Sequence, residues 1–529
     1  MHNQIAITVI SLFKKPYALF FLVLLLIFFA FLVRTVGLIN NNALFIFDSA
    51  RDFLFVEKIA VDHKLILIGP PSGGLQGYFH GVIWYYILTI PFVLSGGHPI
   101  SGPWFMAIAS TFSVVAAFFI LKKIMNIYSG IFGILLLGFS GYSVATAQFI
   151  WNPYPIVWLM PVYFWGICLL THRSYWGIFL ISAAQGLLLH FEVIYGIGTL
   201  PAYLCMLLYF MKIKNANKLK HIFIALVFFA FPLIPSMIFD IRHQFLISKS
   251  VLTTIATGGG NISHKADDSP NSFSDRLYLR SNDVFKYSVE SVTSNKYINY
   301  TLFALLLFGI LKMARDSRNK ENIVTIALSA SAFLSTFCVF LFLKYNVWSY
   351  YWIGNSPLYA ILLAFCIGYL VKKYRQLLLF GFLCALLFFI AAPWKVIPYW
   401  RSGNLKPGPQ TLSTQLKVVD TIYKDIKDQP FSVYQQTPPV YDYVYRYLFL
   451  WQGSKQYRSI PKDQKQKIVY VILEGVPQDI QATYFKTHTL HLSTQPVKTF
   501  RFESKWPIAE KFVVNGPEEP VDPNFFPQL

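Results

Sequence analysis

The chain has 529 residues, of which 55% are hydrophobic and 13% charged, and its formal net charge is +20 at pH 7. A soluble globule cannot bury so large an apolar fraction, so lipid must be the solvent over most of the length. The basic residues cluster in short loops between apolar segments, which is typical of topology signals and of contact with membrane lipid. Composition therefore predicts a multi-pass membrane protein and argues against nucleic-acid binding.

Apolar segments of about 16 to 23 residues, long enough to cross a membrane, recur along the chain. The first follows Lys14 and Lys15, is longer than a signal-peptide core and lacks a small-residue cleavage site, so we expect it to remain as a helix. We expect about eleven spans, at 17–39, 103–121, 131–148, 154–170, 175–190, 193–211, 221–239, 297–312, 322–344, 350–371 and 376–393.

A twelfth candidate, 79–95, is short and aromatic, and it decides the topology. If it spans the membrane, every basic loop from Lys122 onward lies outside, which violates the positive-inside rule. We therefore expect 79–95 to form a helix or hairpin at the outer membrane face, with the N terminus inside and the C terminus outside. The alternative is a short ordinary span.

This topology collects the unusual polar residues on the outer side. The outer segments would be the loop 40–102, the turn "WNPYP" at 151–155, the loop 240–296 and the turn at 344–352. We expect the site to face that side, in a transmembrane module that covers residues 1–393.

From Trp394 onward the composition turns polar. The segments "FSVYQQ", "KIVYVILEG" and "HLSTQPVKTFRFES" have the β-branched and aromatic content of strands, separated by Pro, Gly and charged turns. We expect a small extracytoplasmic α/β domain over residues 394–529.

The first outer loop begins with "FDSARD", in which Asp48 and Asp52 share one helix face and Arg51 lies beside them. Ionisable residues next to lipid are costly, which favours a functional site. The alternative is a solvated juxtamembrane helix whose charges only pair with one another.

Basic and phenolic residues at the outer ends of other segments complete a candidate site. Acids that face several cations and phenols suit transfer from a phosphate-linked donor, because the cations hold the phosphate and a carboxylate takes the acceptor's proton. The candidate substrate-binding residues are Arg51, His80, Arg242, His243, Lys344, Tyr350 and Tyr351.

Some of these residues have a simpler interpretation. Arg242 and His243 could be interfacial residues that extend toward water. His190 and Glu192 lie in a tight turn between two spans, which favours a structural role. The sequence contains no P-loop, dinucleotide fingerprint, HExxH or G-x-S-x-G motif that would indicate ATP, NAD or hydrolase chemistry.

Several motifs resemble a known family. The D-x-x-R-D pattern at 48–52 and "HGVIWYYILTIPF" at 80–92, with "WNPYP", "FDIRH" and "YYWIGNSPLYA", resemble lipid-phosphosugar-dependent glycosyltransferases of the GT-C fold. The likeness is to the glycosyltransferase family 39-like branch, which holds protein O-mannosyltransferases and the aminoarabinose transferase of lipid A. The resemblance implies juxtamembrane helices in the first outer loop and an outer C-terminal domain.

The resemblance also assigns roles. It implies inverting transfer from a polyprenyl-phosphate sugar to a lipid, glycan or protein acceptor, at the outer face of the inner or plasma membrane. Asp48 would be the catalytic base, Arg51 would serve the donor phosphate, and His80 would be the basic residue that opens the next apolar segment. Many relatives carry Glu where this chain has Ser49, so a second catalytic acid would have to be Asp52. No metal is required, although a divalent metal bound by Asp48 and Asp52 remains possible.

Two other classes of protein remain open. A transporter or flippase of lipid-linked sugars would use a similar basic and aromatic lining, but it needs access from both faces, whereas the polar residues crowd on one side. A glycan polymerase or ligase would favour a large late outer loop with catalytic arginines.

Overall fold

The computed structural model describes residues 16–72, 77–213, 218–257, 272–316, 320–344, 347–374, 408–427, 429–436, 442–474, 479–492, 495–502 and 507–515. Most of these residues are helical. Up to residue 374 the α-helices are α1 Pro16–Arg34, α2 Phe47–Ala60, α3 Ile83–Ser95, α4 Ser101–Ile124, α5 Ile127–Phe139, α6 Gly141–Ala145, α7 Pro155–Thr171, α8 Tyr175–Phe191, α9 Val193–Ile213, α10 Lys218–Ala230, α11 Ile234–Arg242, α12 Leu246–Thr257, α13 Phe273–Ser288, α14 Lys296–Ala314, α15 Lys320–Phe342 and α16 Asn355–Lys373.

Each predicted span from 17–39 through 350–371 overlaps one or two of these helices, and 376–393 lies outside the described residues. How many of the helices cross the membrane stays a prediction. Seven helical segments among the described residues are long and apolar enough to cross a membrane. The predicted span 131–148 is divided, because the Ser140 side chain accepts the backbone N–H of Ser143 and begins a separate short helix. The protein is a multi-pass membrane protein.

Helix α3 lies in the short aromatic segment 79–95, which the positive-inside rule predicts not to cross the membrane. Its 13 residues would extend about 20 Å, less than the roughly 30 Å of a bilayer core. The backbone just before α2 and the backbone just after α3 both meet the C-terminal part of the chain. Gln415 donates to the carbonyl of Phe45 at 3.1 Å, and the Tyr447 hydroxyl donates to the carbonyl of Gly97 at 2.5 Å. Whether α3 crosses the membrane stays a prediction from the charge pattern.

The C-terminal part contains helices α17 Leu412–Ile426, α18 Tyr443–Gln452 and α19 Asp479–Tyr484 and a sheet of strands β1 Phe431–Gln436, β2 Ile468–Leu473, β3 Lys498–Arg501 and β4 Ile508–Val513. The strand order is β1-β2-β4-β3, with β1 parallel to β2 and the other pairs antiparallel. The first three strands lie in the three predicted segments. The predicted boundary at residue 394 lies outside the described residues and stays a prediction.

An arginine that the sequence analysis did not single out joins three membrane helices. Arg34 is fully buried at the end of α1. Its guanidinium donates to the carbonyls of Ala30, Leu137 and Gly138 and to the Ser110 hydroxyl at 3.0 Å. Carbonyls at the end of α5 have no partner within their own helix, so the arginine satisfies groups that lipid could not.

Candidate functional site

Helix α2 positions the acidic pair. It buries an apolar face that includes Phe53 and Val56, while the Ser49 hydroxyl donates to the carbonyl of Ile150 at 3.2 Å. Asp48 lies in the first turn of the helix, where unpaired backbone N–H groups favour a negative charge. The helix therefore presents its acids from a packed support.

Arg51 lies between the two carboxylates, which have different surroundings. Its Nη1 is 2.8 Å from Oδ1 of Asp48, and its Nη2 is 2.8 Å from Oδ1 of Asp52. Asp52 is completely buried, and its Oδ2 accepts the indole N–H of Trp84 at 2.7 Å. The side chain of Asp48 is 16% exposed, and its Oδ2 has no hydrogen-bond partner among the described residues. Asp52 is thus held on both oxygens, whereas Asp48 keeps one oxygen available.

Burial and the shared arginine set the ionisation of the three groups. Burial raises the pKa of Asp52 to about 6, against the opposing effect of Arg51. Burial also raises the pKa of Asp48, although the adjacent guanidinium lowers it in part. The pKa of Arg51 is raised, because the neighbouring carboxylates outweigh the effect of burial. The cluster combines a permanent cation with a carboxylate that is a stronger base than a solvated aspartate.

A tight backbone hairpin holds His80 near this cluster. The Gly69 N–H donates to the carbonyl of His80, and the His80 N–H donates to the carbonyl of Pro70, both at 2.8 Å. The hairpin rests on the end of α8, where Gly81 donates to the carbonyl of His190 at 2.7 Å. A Cβ at Gly81 would lie 1.9 Å from the His190 ring, so the close approach requires glycine.

His80 is buried, and its Nδ1 has no hydrogen-bond partner among the described residues. Burial and the nearby charges of Arg51 and His190 lower its pKa to about 3. The imidazole is therefore neutral at physiological pH and can donate or accept a hydrogen bond without a charge.

Aromatic residues from two distant segments converge beside Asp48. The Trp151 ring lies 4.8 Å from the Tyr350 ring and 5.3 Å from the Tyr154 ring, measured between centroids. Tyr154 and Tyr350 both interact electrostatically with Asp48. The "WNPYP" turn and the segment before α16 thus form an aromatic lining around the accessible carboxylate. Tyr351 is buried next to Tyr350, with ring centroids 4.6 Å apart.

The other predicted cations are exposed. Arg242 and His243 are exposed at the end of α11, where His243 stacks on Phe239 at 3.9 Å. Lys344 is exposed just after α15. Among the described residues, none of these three contacts the Asp48 cluster. The motif "FDIRH" contributes structurally through Asp240, whose carboxylate accepts the backbone N–H groups of Ile247 and Ser248.

The arrangement was compared with known proteins. No family model matches the chain, and no curated protein matches it. Among solved structures, ArnT from Cupriavidus metallidurans bound to undecaprenyl phosphate is 11% identical, with a TM-score of 0.57 over 94% of this chain and 99% of that one. The apo state of the same protein is 10% identical, with a TM-score of 0.59 over 92% and 97%.

The chain has the GT-C fold. The fold expected from the motif resemblance is thereby confirmed over nearly the whole chain, including the helices and the small C-terminal sheet. At this level of identity the likeness defines the fold, so the chemistry of the site has to be argued from its own residues.

In this GT-C protein the two acids do not form a metal centre by themselves. No group of three His, Cys, Asp or Glu side chains that could hold a metal ion occurs in the described part of the chain. Both Asp48 and Asp52 point an oxygen at Arg51, so the guanidinium occupies the position between them. A divalent ion that bridged the pair would have to displace the arginine.

Sequence reasoning missed the residues that distinguish the two acids. Trp84 and Tyr154 stand in quoted motifs but were not named as site residues. Helix spacing brings Asp48 and Asp52 together, but only a tertiary contact with Trp84 makes Asp52 a buried, fully bonded group. The one available signal was an indole, which needs an acceptor when buried, four residues after His80.

Proposed function

We propose that the protein is a membrane glycosyltransferase that moves a sugar from a polyprenyl-phosphate donor to an acceptor, with Asp48 as general base. The observation that carries the proposal is the contrast within the acidic pair. Asp48 has an accessible carboxylate oxygen, while Asp52 is buried and bonded through both oxygens. The GT-C fold, shared with an ArnT structure that holds undecaprenyl phosphate, supports the donor class.

The proposed step is an inverting displacement. The free oxygen of Asp48 takes the proton from a hydroxyl or amine of the acceptor as that nucleophile attacks the anomeric carbon of the sugar. The bond between this carbon and the phosphate oxygen breaks, and the electron pair leaves with the polyprenyl phosphate. The raised pKa of Asp48 increases the basicity of the carboxylate, and a base works best when its pKa approaches the working pH.

Arg51 and Asp52 then have supporting roles. Asp52 anchors Arg51 through Nε at 3.0 Å and Nη2 at 2.8 Å, which directs the remaining N–H groups of the guanidinium toward the site. A guanidinium fixed in this way stabilises negative charge on a leaving phosphate. His80 would offer a neutral hydrogen bond at the same place. In this proposal Asp52, predicted from the sequence as catalytic, is a positioning residue.

The acceptor remains a lipid, a glycan or a protein, and the protein would act in the inner or plasma membrane with its site on the extracytoplasmic side. The crowding of Asp48, Tyr154 and Tyr350 at one end of the helices supports a site with one-sided access. This arrangement does not favour the transporter or flippase that the sequence left open.

The test is sugar transfer by the purified full-length protein in membrane extract. We expect the wild-type protein to transfer sugar from at least one of a panel of polyprenyl-phosphate sugars. We expect Asp48→Asn to fold, to bind the same donor and to lose transfer by about 10²- to 10⁴-fold, the usual contribution of a general base. Equal transfer by the two proteins would refute the role of Asp48, and no transfer from any donor would refute the proposed donor class.

A further inference from the structure

The turn between α8 and α9 lies where the segments that build the site meet. The carbonyl of Phe191 accepts the side-chain N–H of Asn152 at 3.0 Å, which ties the turn to the "WNPYP" segment. The carbonyl of His190 accepts the Gly81 N–H, and the Nε2 atom of the His190 ring accepts the Ile83 N–H at 2.8 Å. These two bonds join the turn to the His80 hairpin. His190 thus bonds to two backbone N–H groups of the hairpin, which fits the structural role that its position in a tight turn favours.

Glu192, two residues later, is in a different situation. Its side chain is buried, and Oε1 accepts the backbone N–H of Ile194 at 3.3 Å. Within the described residues, no Lys, Arg or His forms an ion pair with it, and Oε2 has no hydrogen-bond partner. A buried carboxyl without a cation is costly to ionise, and burial raises the pKa of Glu192 to about 8. A structural cap for α9 could be made by a neutral serine or asparagine, so the carboxylate calls for another explanation.

The surroundings of Glu192 are aromatic and belong to the site. Tyr78 and Tyr350 both interact electrostatically with Glu192. The adjacent residue Val193 lies in one apolar cluster with Tyr351, against which Tyr78 and Tyr350 pack. Tyr78 also packs edge to face against the His80 ring, with centroids 6.1 Å apart.

Tyr350 connects the two acids, because it lies within electrostatic reach of both Asp48 and Glu192. The site thus has two acids within electrostatic range of one phenol. Asp48 is paired with a guanidinium, whereas Glu192 faces phenols. Phenols and a carboxyl group without a cation are hydrogen-bonding groups that suit the hydroxyls of a sugar.

We infer that Glu192 is a specificity-determining residue that forms a hydrogen bond with a hydroxyl of the transferred sugar. The inference rests on the proposed function, since it places a sugar in the same site. The sugar hydroxyl takes the position of the missing partner of Oε2, and Tyr78 and Tyr350 pack against the ring. The donor phosphate stays on the Arg51 side.

The test compares two ligands that differ only in the sugar. Binding of undecaprenyl phosphate, and of the sugar-bearing donor that the wild-type protein transfers, is measured with the full chain in detergent for wild type, Glu192→Gln and Glu192→Ala. We expect both variants to bind undecaprenyl phosphate within about 2-fold of wild type. We expect the sugar-bearing donor to bind about 10-fold more weakly to Glu192→Gln and 10- to 100-fold more weakly to Glu192→Ala, as expected when a buried hydroxyl is left without a suitable hydrogen-bond partner.

The matched control is Glu57→Gln, at a half-buried glutamate near the far end of α2 whose pKa burial also raises, to about 7. It should leave both affinities unchanged. If Glu192→Ala fails to fold, the isosteric glutamine variant carries the test. Unchanged affinity for the sugar-bearing donor, or equal weakening for both ligands, would overturn the role of Glu192 alone. A wild-type protein that binds neither ligand would overturn the proposed function together with this inference.

Discussion

Replacing Asp52 by asparagine separates the positioning acid from the base. The carboxylate of Asp52 accepts two N–H bonds from Arg51 on one oxygen and the indole N–H of Trp84 on the other. An asparagine has one acceptor oxygen, so either the guanidinium or the indole would face an amide N–H. The variant loses one or two hydrogen bonds to a charged, buried group and leaves Arg51 paired with Asp48 alone. The free energy of unfolding should fall by about 3 to 5 kcal/mol.

Thermal unfolding in detergent measures this loss, with Asp48→Asn as the matched control one helical turn away. Asp48→Asn keeps an oxygen for Arg51 at a partly exposed position, so its loss of stability should be about 1 kcal/mol. Transfer activity should show the reverse order, because Asp52→Asn keeps the base. The reasoning is refuted if Asp52→Asn unfolds at the same temperature as Asp48→Asn, or if both lose transfer equally while remaining folded.

Three further changes test the supports of the site. Gly81→Ala places a Cβ 1.9 Å from a histidine ring and should lower both the melting temperature and transfer, whereas Gly141→Ala meets nothing within 4 Å and should change neither. Arg34→Leu removes hydrogen bonds to three carbonyls and a hydroxyl and should cost about 2 to 4 kcal/mol in unfolding experiments; unchanged stability would mean that those groups find other partners. Because the pKa of Asp48 is raised, transfer should fall on acidification at a higher pH than for a solvated aspartate. In Asp52→Asn the pH at which transfer is half-maximal should be lower than in wild type, because Arg51 then pairs with Asp48 alone and lowers its pKa further. The pH–rate profiles of the two proteins measure this shift.

The membrane helices could be predicted because apolar length is a local property. A run of about 20 apolar residues specifies a span wherever it occurs, and the segment 101–124 forms one uninterrupted helix for that reason. The interruptions were harder to predict. Ser140 ends one helix by capping the next, and Pro232 lies in a short 3₁₀ segment between α10 and α11. Single-residue breaks leave the hydropathy of a window almost unchanged.

The site was predictable only where it is local. The spacing of Asp48, Arg51 and Asp52 follows from helix geometry, and their ion pairs lie along one helix as expected. The convergence of Tyr154 with Tyr350, which are far apart in the chain, depends on how four helices pack. Arg242 and His243 illustrate the opposite case. Their position next to a membrane helix made them candidates, but exposure at its end is equally compatible with an interfacial role.

The hydrogen bonds of Asp52 also bear on the placement of the segment 79–95. Trp84, the second residue of α3, donates a hydrogen bond to the buried carboxylate of Asp52. That bond requires α3 to lie beside α2. Gly97, two residues after the end of α3, contacts Tyr447. Phe45, just before α2, contacts Gln415 of the same C-terminal part. A membrane-spanning α3 would carry Gly97 to the opposite face, away from that contact. The positive-inside rule and the hydrogen bonds of Asp52 therefore support the same placement of α3 from independent physical grounds.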